Sequence, residues 1–260
     1  MRIGCCVDYK SENDLISCKK AGVDYVETGF NSLAGASDRE LCHFFEFLSS
    51  NRISCECLNC LFPGNRKVIG SKVDYPEIDE FLDKNLERLT PLNFSVLVFG
   101  SGSARQIPEG FSHKKAVEQL IKLLSDHLAP AMRKYQIVCA IEPLNKEECN
   151  LINTCQDGLA LVKAVNLPEI RLLSDFYHMN VNQEKTESLL DCAGAIEHVH
   201  IASALNKRAF PRRNDGEDYT GYFHILEKAG YRNQRVSVEG MVINSFEPEL
   251  KEAIACLRSL

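Results

Sequence analysis

The sequence predicts an α/β protein built as a single (β/α)8 TIM barrel, one catalytic domain over residues 1–260. Three observations carry that prediction. Short apolar runs alternate strictly with amphipathic runs, which implies a parallel sheet covered by helices. Eight such pairs follow one another, and eight close a barrel. The chain has 260 residues, near the roughly 250 of a typical barrel. No composition shift or low-complexity linker marks a second domain.

Residues 2–7 read as the first strand, and 12–21 as a helix closed by Gly22, a common C-terminal stop. Residues 24–27 form the second strand, ending at Glu27. Ser37 and Glu40 have capping-box spacing, so a helix runs from there to about residue 50. The third strand is 53–58. A long loop follows, 59–74, of a length usually reserved for function or motion. A helix spans 75–89 with Pro76 in its first turn. The fourth strand, 95–99, runs into Gly100-Ser101-Gly102-Ser103, which lacks the Lys-Ser/Thr of a phosphate loop.

A long amphipathic helix covers 112–135, with a kink expected at Pro130. The fifth strand, 137–142, is apolar until Glu142, and Pro143 stops it because proline cannot continue a ladder. Asn153 or Thr154 caps a helix to 165. The sixth strand, 170–174, ends at Asp175. A helix is expected over 183–192, stopped near Gly194. The seventh strand is 196–201. A loop, 206–218, holds the basic cluster Lys207, Arg208, Arg212 and Arg213 and leads to a helix over 219–229. The eighth strand is 235–239, and the last helix 247–257.

Composition narrows the function. Hydrophobic residues make up 45% and charged residues 25%, as in ordinary globular proteins. No apolar run reaches the roughly 18 residues of a membrane helix, and the first residues do not resemble a signal peptide. A cytoplasmic location is expected. The twelve cysteines are then expected to stay reduced. A net charge of −6 argues against a nucleic-acid partner, which would call for a basic stripe. A small-molecule partner fits better. Homo-oligomerisation, as a dimer or tetramer, is left open.

The late strands each deliver an acid or an imidazole to the same end. Strand five gives Glu142, strand six Asp175 with His178 close behind, strand seven His198 and His200, and strand eight Glu239. In a barrel the C-terminal strand ends carry the chemistry. Several carboxylates in one pocket cannot all stay ionised without a cation. A divalent metal answers that need, and mixed oxygen and nitrogen donors suit Mn2+ first, with Co2+ or Mg2+ as alternatives. His198 and His200 point the same way, and His200 lies nearer the active end. Asp8 and Glu27 are candidates for the pocket rim.

Several stretches resemble a known family. Ile141-Glu142-Pro143-Leu144-Asn145, followed by Glu148 and by Asn150 to Thr154, resembles the strand-five motif of the xylose isomerase-like barrel superfamily. Within it, the similarity is greatest to ketose 3-epimerases of the tagatose/psicose type. Asp175-Phe176-Tyr177-His178-Met179-Asn180 resembles their strand-six motif, and His198-Val199-His200-Ile201 and Val238-Glu239-Gly240 resemble strands seven and eight. The run from Cys55 to Gly64 resembles their strand-three loop.

The resemblance implies metal ligands at Glu142, Asp175, His200 and Glu239, with Glu142 and Glu239 as the catalytic acid/base pair. It implies sugar-binding roles for His178, Glu148 and an arginine after strand seven, assigned to Arg208. The implied function is a metal-dependent sugar epimerase working through an enediolate. The alternatives are an aldose–ketose isomerase, or a lyase or deglycosidase acting on 3-oxo sugars. One departure stands out. The family carries Gly-Glu-Ala-Asn-Arg after the strand-seven histidine, whereas Arg208 comes two residues later here, on an extended basic loop.

Overall fold

Period-two alternation decides which strand residues enter a barrel, and here it separates two cores. A computed structural model describes residues 1–231 and 234–260. The parallel strands are β1 (Arg2–Cys6), β2 (Tyr25–Gly29), β3 (Cys55–Asn59), β4 (Val96–Phe99), β5 (Val138–Ile141), β6 (Ile170–Asp175), β7 (Ile196–Ile201) and β8 (Arg235–Val238). They close in chain order into one barrel, with β8 pairing β1. Tyr25, Cys57, Val96, Val98, Ala140 and Leu173 fill its lower interior. The alternate residues, such as Ile3, Leu97, Ile141 and Val199, join the larger core between barrel and helices. Gly4 is opposite Tyr25 in the register. A Cβ there would lie 2.3 Å from the Tyr25 ring, so glycine leaves the space that the ring occupies.

Most elements follow the sequence. The helices Glu12–Ala21 and Tyr75–Leu89 and the strand β7 have the expected bounds, and Ser37 and Glu40 form the capping box. Thr154 caps the helix Cys155–Val165 through a second box with Asp157.

Several stretches differ, among them two short helices that the sequence did not predict, Phe30–Ala34 and Gly102–Arg105. The helix expected over 112–135 is helical from His113 to Lys122, widens to a π-turn over Leu123–Leu128, and resumes as Ala129–Tyr135. Pro130 has no N–H to give the carbonyl four residues back, and the ladder slips just before it. The helix expected over 183–192 is a 3-10 turn, Thr186–Cys192. A short helix, Phe176–Val181, instead starts directly from Asp175, whose carboxylate caps it by accepting from the His178 N–H at 3.1 Å. The loop 59–74 is packed down, with Leu61, Phe62, Val68 and Ile69 buried. Its backbone donates from Phe62 to Ser101 Oγ at 2.8 Å and from Val68 to the Ala104 carbonyl at 2.9 Å.

All twelve cysteines are free thiols. No helix among the described residues is long and apolar enough to cross a membrane.

Candidate active site

Four strand ends bring four predicted residues together. Glu142 follows β5, Asp175 ends β6, His200 lies in β7 and Glu239 follows β8. Each offers a ligand atom, and these atoms all lie within 4.8 Å of one another. Glu142, Asp175 and His200 are buried, and Glu239 is only partly so. Two features hold Glu142 in place. Arg105, fully buried, donates to the backbone carbonyls of Phe99 and Glu142 and so ties the ends of β4 and β5 together. Gly100 lies against the Glu142 carboxylate, where a Cβ would sit 1.8 Å from Oε2.

His200 is the hub. Its Nδ1 lies 3.1 Å from Glu142 Oε1 and 3.4 Å from Glu239 Oε2. Its Nε2 lies 2.9 Å from Glu27 Oε1. Glu27 is therefore not at the pocket rim. It is fully buried inside the barrel, below His200. A register shift between Val26 and Glu27 in the β2–β3 pairing accompanies this placement. His198 lies one layer deeper than His200 and reaches the same glutamate, Nε2 to Oε2, at 2.8 Å.

The electrostatics separate the two glutamates. Burial and then the Glu239 charge push the Glu142 carboxyl above its ordinary range, against the pull of His200. Burial also opposes a charge on Glu239, but His200 and Arg208 outweigh it and hold that pKa at about 2. On His200, burial disfavours the charge, yet Glu27, Glu239 and Glu142 raise its pKa well above the ordinary value.

The three residues expected to hold a sugar line the same pocket. His178 Nδ1 accepts from the Asn145 backbone N–H at 3.2 Å and lies 2.9 Å from Asn145 Nδ2. An accepting Nδ1 leaves the proton on Nε2 in the neutral ring. That Nε2 is buried and has no hydrogen-bond partner. Asn145 Nδ2 also donates to Glu148 Oε1 at 2.8 Å. Arg208 donates to Glu239 Oε2 at 2.6 Å, reaches Glu148 Oε1 at 3.4 Å and covers the Tyr177 ring. Arg208 has a left-handed φ of 61°. The pocket, of about 450 Å3, is also lined by Asn31, Cys60, Phe62 and Gly100–Ala104. A cleft of about 530 Å3 at the other end of the barrel has Arg2 and Arg235 paired with Glu56, and it gathers no such constellation.

Asp8 stays at the surface. Sequence reasoning overlooked Asn59, Arg105 and Asn145. Asn59 donates to Glu239 Oε1 at 3.2 Å. Its signal was its place at the end of β3, in the inward register of Cys57. Asn145 stood in the strand-five motif without a role.

The donor set fits a divalent ion. Three carboxylates and one imidazole nitrogen converge, a mix that suits Mn2+, Co2+ or Mg2+ more than a thiolate-preferring metal. The Nδ1 edge of His200 faces the carboxylates of this cluster.

Comparisons with known proteins agree with the architecture. The family described as a xylose isomerase-like TIM barrel matches residues 15–260. A probable ketose 3-epimerase of Synechocystis is 29% identical over 138 residues, 52% of this chain and 43% of the relative. A 3-dehydro-D-guloside 4-epimerase of Escherichia coli is 35% identical over 95 residues, 33% of this chain and 36% of the relative. The matched segments thus span less than half the length of these two relatives. The crystal structure of a D-psicose 3-epimerase with D-tagatose, from Clostridium cellulolyticum H10, superposes with a TM-score of 0.82 at 20% identity. That superposition covers 100% of this chain and 98% of the other, and it shows the shared fold.

Proposed function

The chain belongs to the xylose isomerase-like TIM-barrel family, and from that premise we propose that it is a metal-dependent sugar epimerase. The specific reading is a ketose 3-epimerase that uses Mn2+, with residues 1–260 as its catalytic domain. One observation carries it. Glu142 and Glu239 reach the same nitrogen of His200, at 3.1 and 3.4 Å, while their pKa values are pushed in opposite directions. Two carboxyls with separated pKa values beside one reacting centre suit an acid and a base.

Glu142, Asp175, His200 and Glu239 hold the metal in this reading. A bound divalent ion supplies Lewis-acid stabilisation of the negative charge that develops on the substrate oxygens. Glu239, ionised at neutral pH, takes the proton from the carbon beside the ketone. Glu142 returns a proton to the other face, which inverts the centre. The reverse reaction exchanges the two roles. Arg208 and Asn59 hold the Glu239 carboxylate by its two oxygens, Oε2 and Oε1. His178 presents an Nε2–H to a sugar hydroxyl, with its tautomer set by Asn145. Glu148, fixed by Asn145 and Arg208, accepts from another hydroxyl.

The guloside 4-epimerase relative favours a second reading, in which the substrate is a 3-oxo glycoside. A substrate panel separates the two. Free ketohexoses, phosphorylated ketoses and 3-oxo-glycosides are offered in parallel with Mn2+ and with chelator. The proposal expects Mn2+-dependent epimerisation of a free ketohexose. Binding of Mn2+ with turnover of no sugar would overturn it.

A further inference from the structure

We infer that Glu27 is a positioning residue for the metal centre, holding His200 by Nε2 so that Nδ1 faces Glu142, Asp175 and Glu239. The inference rests on the metal-centre part of the reading above, and not on which sugar is turned over.

Glu27 is 0% exposed. A carboxylate there is costly unless donors surround it, and three donors do. His200 Nε2 lies 2.9 Å from Oε1. His198 Nε2 lies 2.8 Å from Oε2, and Ser237 Oγ donates to Oε2 at 2.6 Å. Tyr25 completes the row, with its hydroxyl 3.0 Å from Ser237 Oγ. Tyr25, Glu27, His198 and Ser237 are all buried in the barrel interior. An ionised carboxylate only accepts hydrogen bonds. Each neighbour must therefore direct its hydrogen at Glu27. For His198 this puts the proton on Nε2, and its Nδ1 is indeed buried with no hydrogen-bond partner.

For His200 the consequence is functional. The proton that points at Glu27 stays on Nε2, and the nitrogen on the other side keeps its lone pair free when a metal is bound. The ring cannot turn over without breaking a charge-assisted hydrogen bond in the barrel interior. A carboxylate behind a ligating histidine fixes its tautomer and orientation and raises its basicity, and loss of such a partner typically weakens metal binding about 10–100-fold. The Tyr25–Ser237 pair and His198 hold Glu27 in turn. The row therefore runs from the lower interior of the barrel up to the candidate metal.

The test reads metal binding rather than turnover. Mn2+ affinity is measured calorimetrically for the wild-type protein and for Glu27→Gln, with folding checked by circular dichroism. The expected result is a loss of about 10–100-fold in Glu27→Gln with the fold retained. Equal affinity in wild type and variant overturns the positioning role alone. Failure of the wild type to bind Mn2+ overturns the metal centre itself, and this inference with it. A second measurement needs no variant and stands if Glu27→Gln does not fold. In the Mg2+-loaded wild type, nitrogen-edited proton NMR should show a downfield, slowly exchanging Nε2–H on His200. A His200 bound through Nε2, or without that proton, would contradict the inference.

Discussion

Glu142 Oε1 and Glu239 Oε2 flank a single nitrogen, His200 Nδ1, from the ends of β5 and β8. They are not equivalent. Arg208 and Asn59 both donate to Glu239, and the Glu142 side chain meets neither. The difference follows from topology. β8 is flanked by the loop after β7, which carries Arg208, whereas Glu142 lies beside Gly100 at the end of β4.

Replacing the proposed base should stop the reaction without unfolding the protein. Glu239→Gln keeps the shape and removes the proton acceptor. The turnover number should fall at least 10²–10⁴-fold, the usual range for a general acid–base group. Steady-state kinetics under saturating Mn2+ measure this, and wild-type-like turnover would remove Glu239 from the role.

Metal affinity should rise with pH. Against burial, Glu27, Glu239 and Glu142 raise the pKa of His200 above its ordinary value. Its charged form therefore stabilises the fold fully below its unfolded value of about 6.5, and that contribution is lost as pH rises through the higher folded value. Glu142 is shifted in the same direction, starting from about 4.3. From these two groups, melting of the chelator-treated protein should thus move to lower temperature as pH rises past their unfolded values. Mn2+ takes the place of the His200 Nδ1 proton, so its binding should release a proton and tighten as pH rises. At 100 times its Kd the ion should add about 2.7 kcal/mol of stability. Calorimetry in buffers of different ionisation enthalpy counts the protons.

Arg208 should tune Glu239. Arg208→Ala removes a cation 2.6 Å from Glu239 Oε2. The pKa of Glu239 should then climb from about 2, and the acid limb of the kcat/KM profile should move to higher pH. KM should rise as well, because Glu148 loses one of its partners. An unmoved acid limb would show that Arg208 acts on the substrate alone.

Gly100 should tolerate no side chain. In Gly100→Ala the new Cβ would lie 1.8 Å from Glu142 Oε2 and 3.0 Å from Cδ. Either the carboxylate swings away or the strand end shifts, and overpacking of this kind costs about 1–3 kcal/mol. Mn2+ titration should show weakened binding, and urea denaturation reads the stability.

Much of this was legible in the chain, for a physical reason. A parallel strand buried on both faces is a nearly continuous apolar run, so the polar residue that ends it stands out. Glu142, Asp175 and Glu239 were read in that way, and His200 from strand alternation and its nearness to the C-terminal end of β7. Glu27 was also read as a strand end, yet it lies deeper. Its β2 strand runs two residues further, to Gly29, and shifts register at Val26 and Glu27. A bulge of that kind leaves no mark in a hydrophobicity pattern. The short helix after β6 was hidden because Asp175 has two roles, as helix cap and as member of the acidic cluster. Arg105 gave no signal, because it acts on main-chain carbonyls and no motif records that.

The central claim is proton transfer at one sugar carbon under metal control. The most direct measurement is proton NMR of a free ketohexose incubated with the protein in D2O. Chelator-treated protein is compared with and without added Mn2+. The account predicts Mn2+-dependent appearance of the C3 epimer with deuterium at C3, and loss of both in Glu239→Gln. An epimer that forms without Mn2+, or with hydrogen retained at C3 from the start of the reaction, would contradict it.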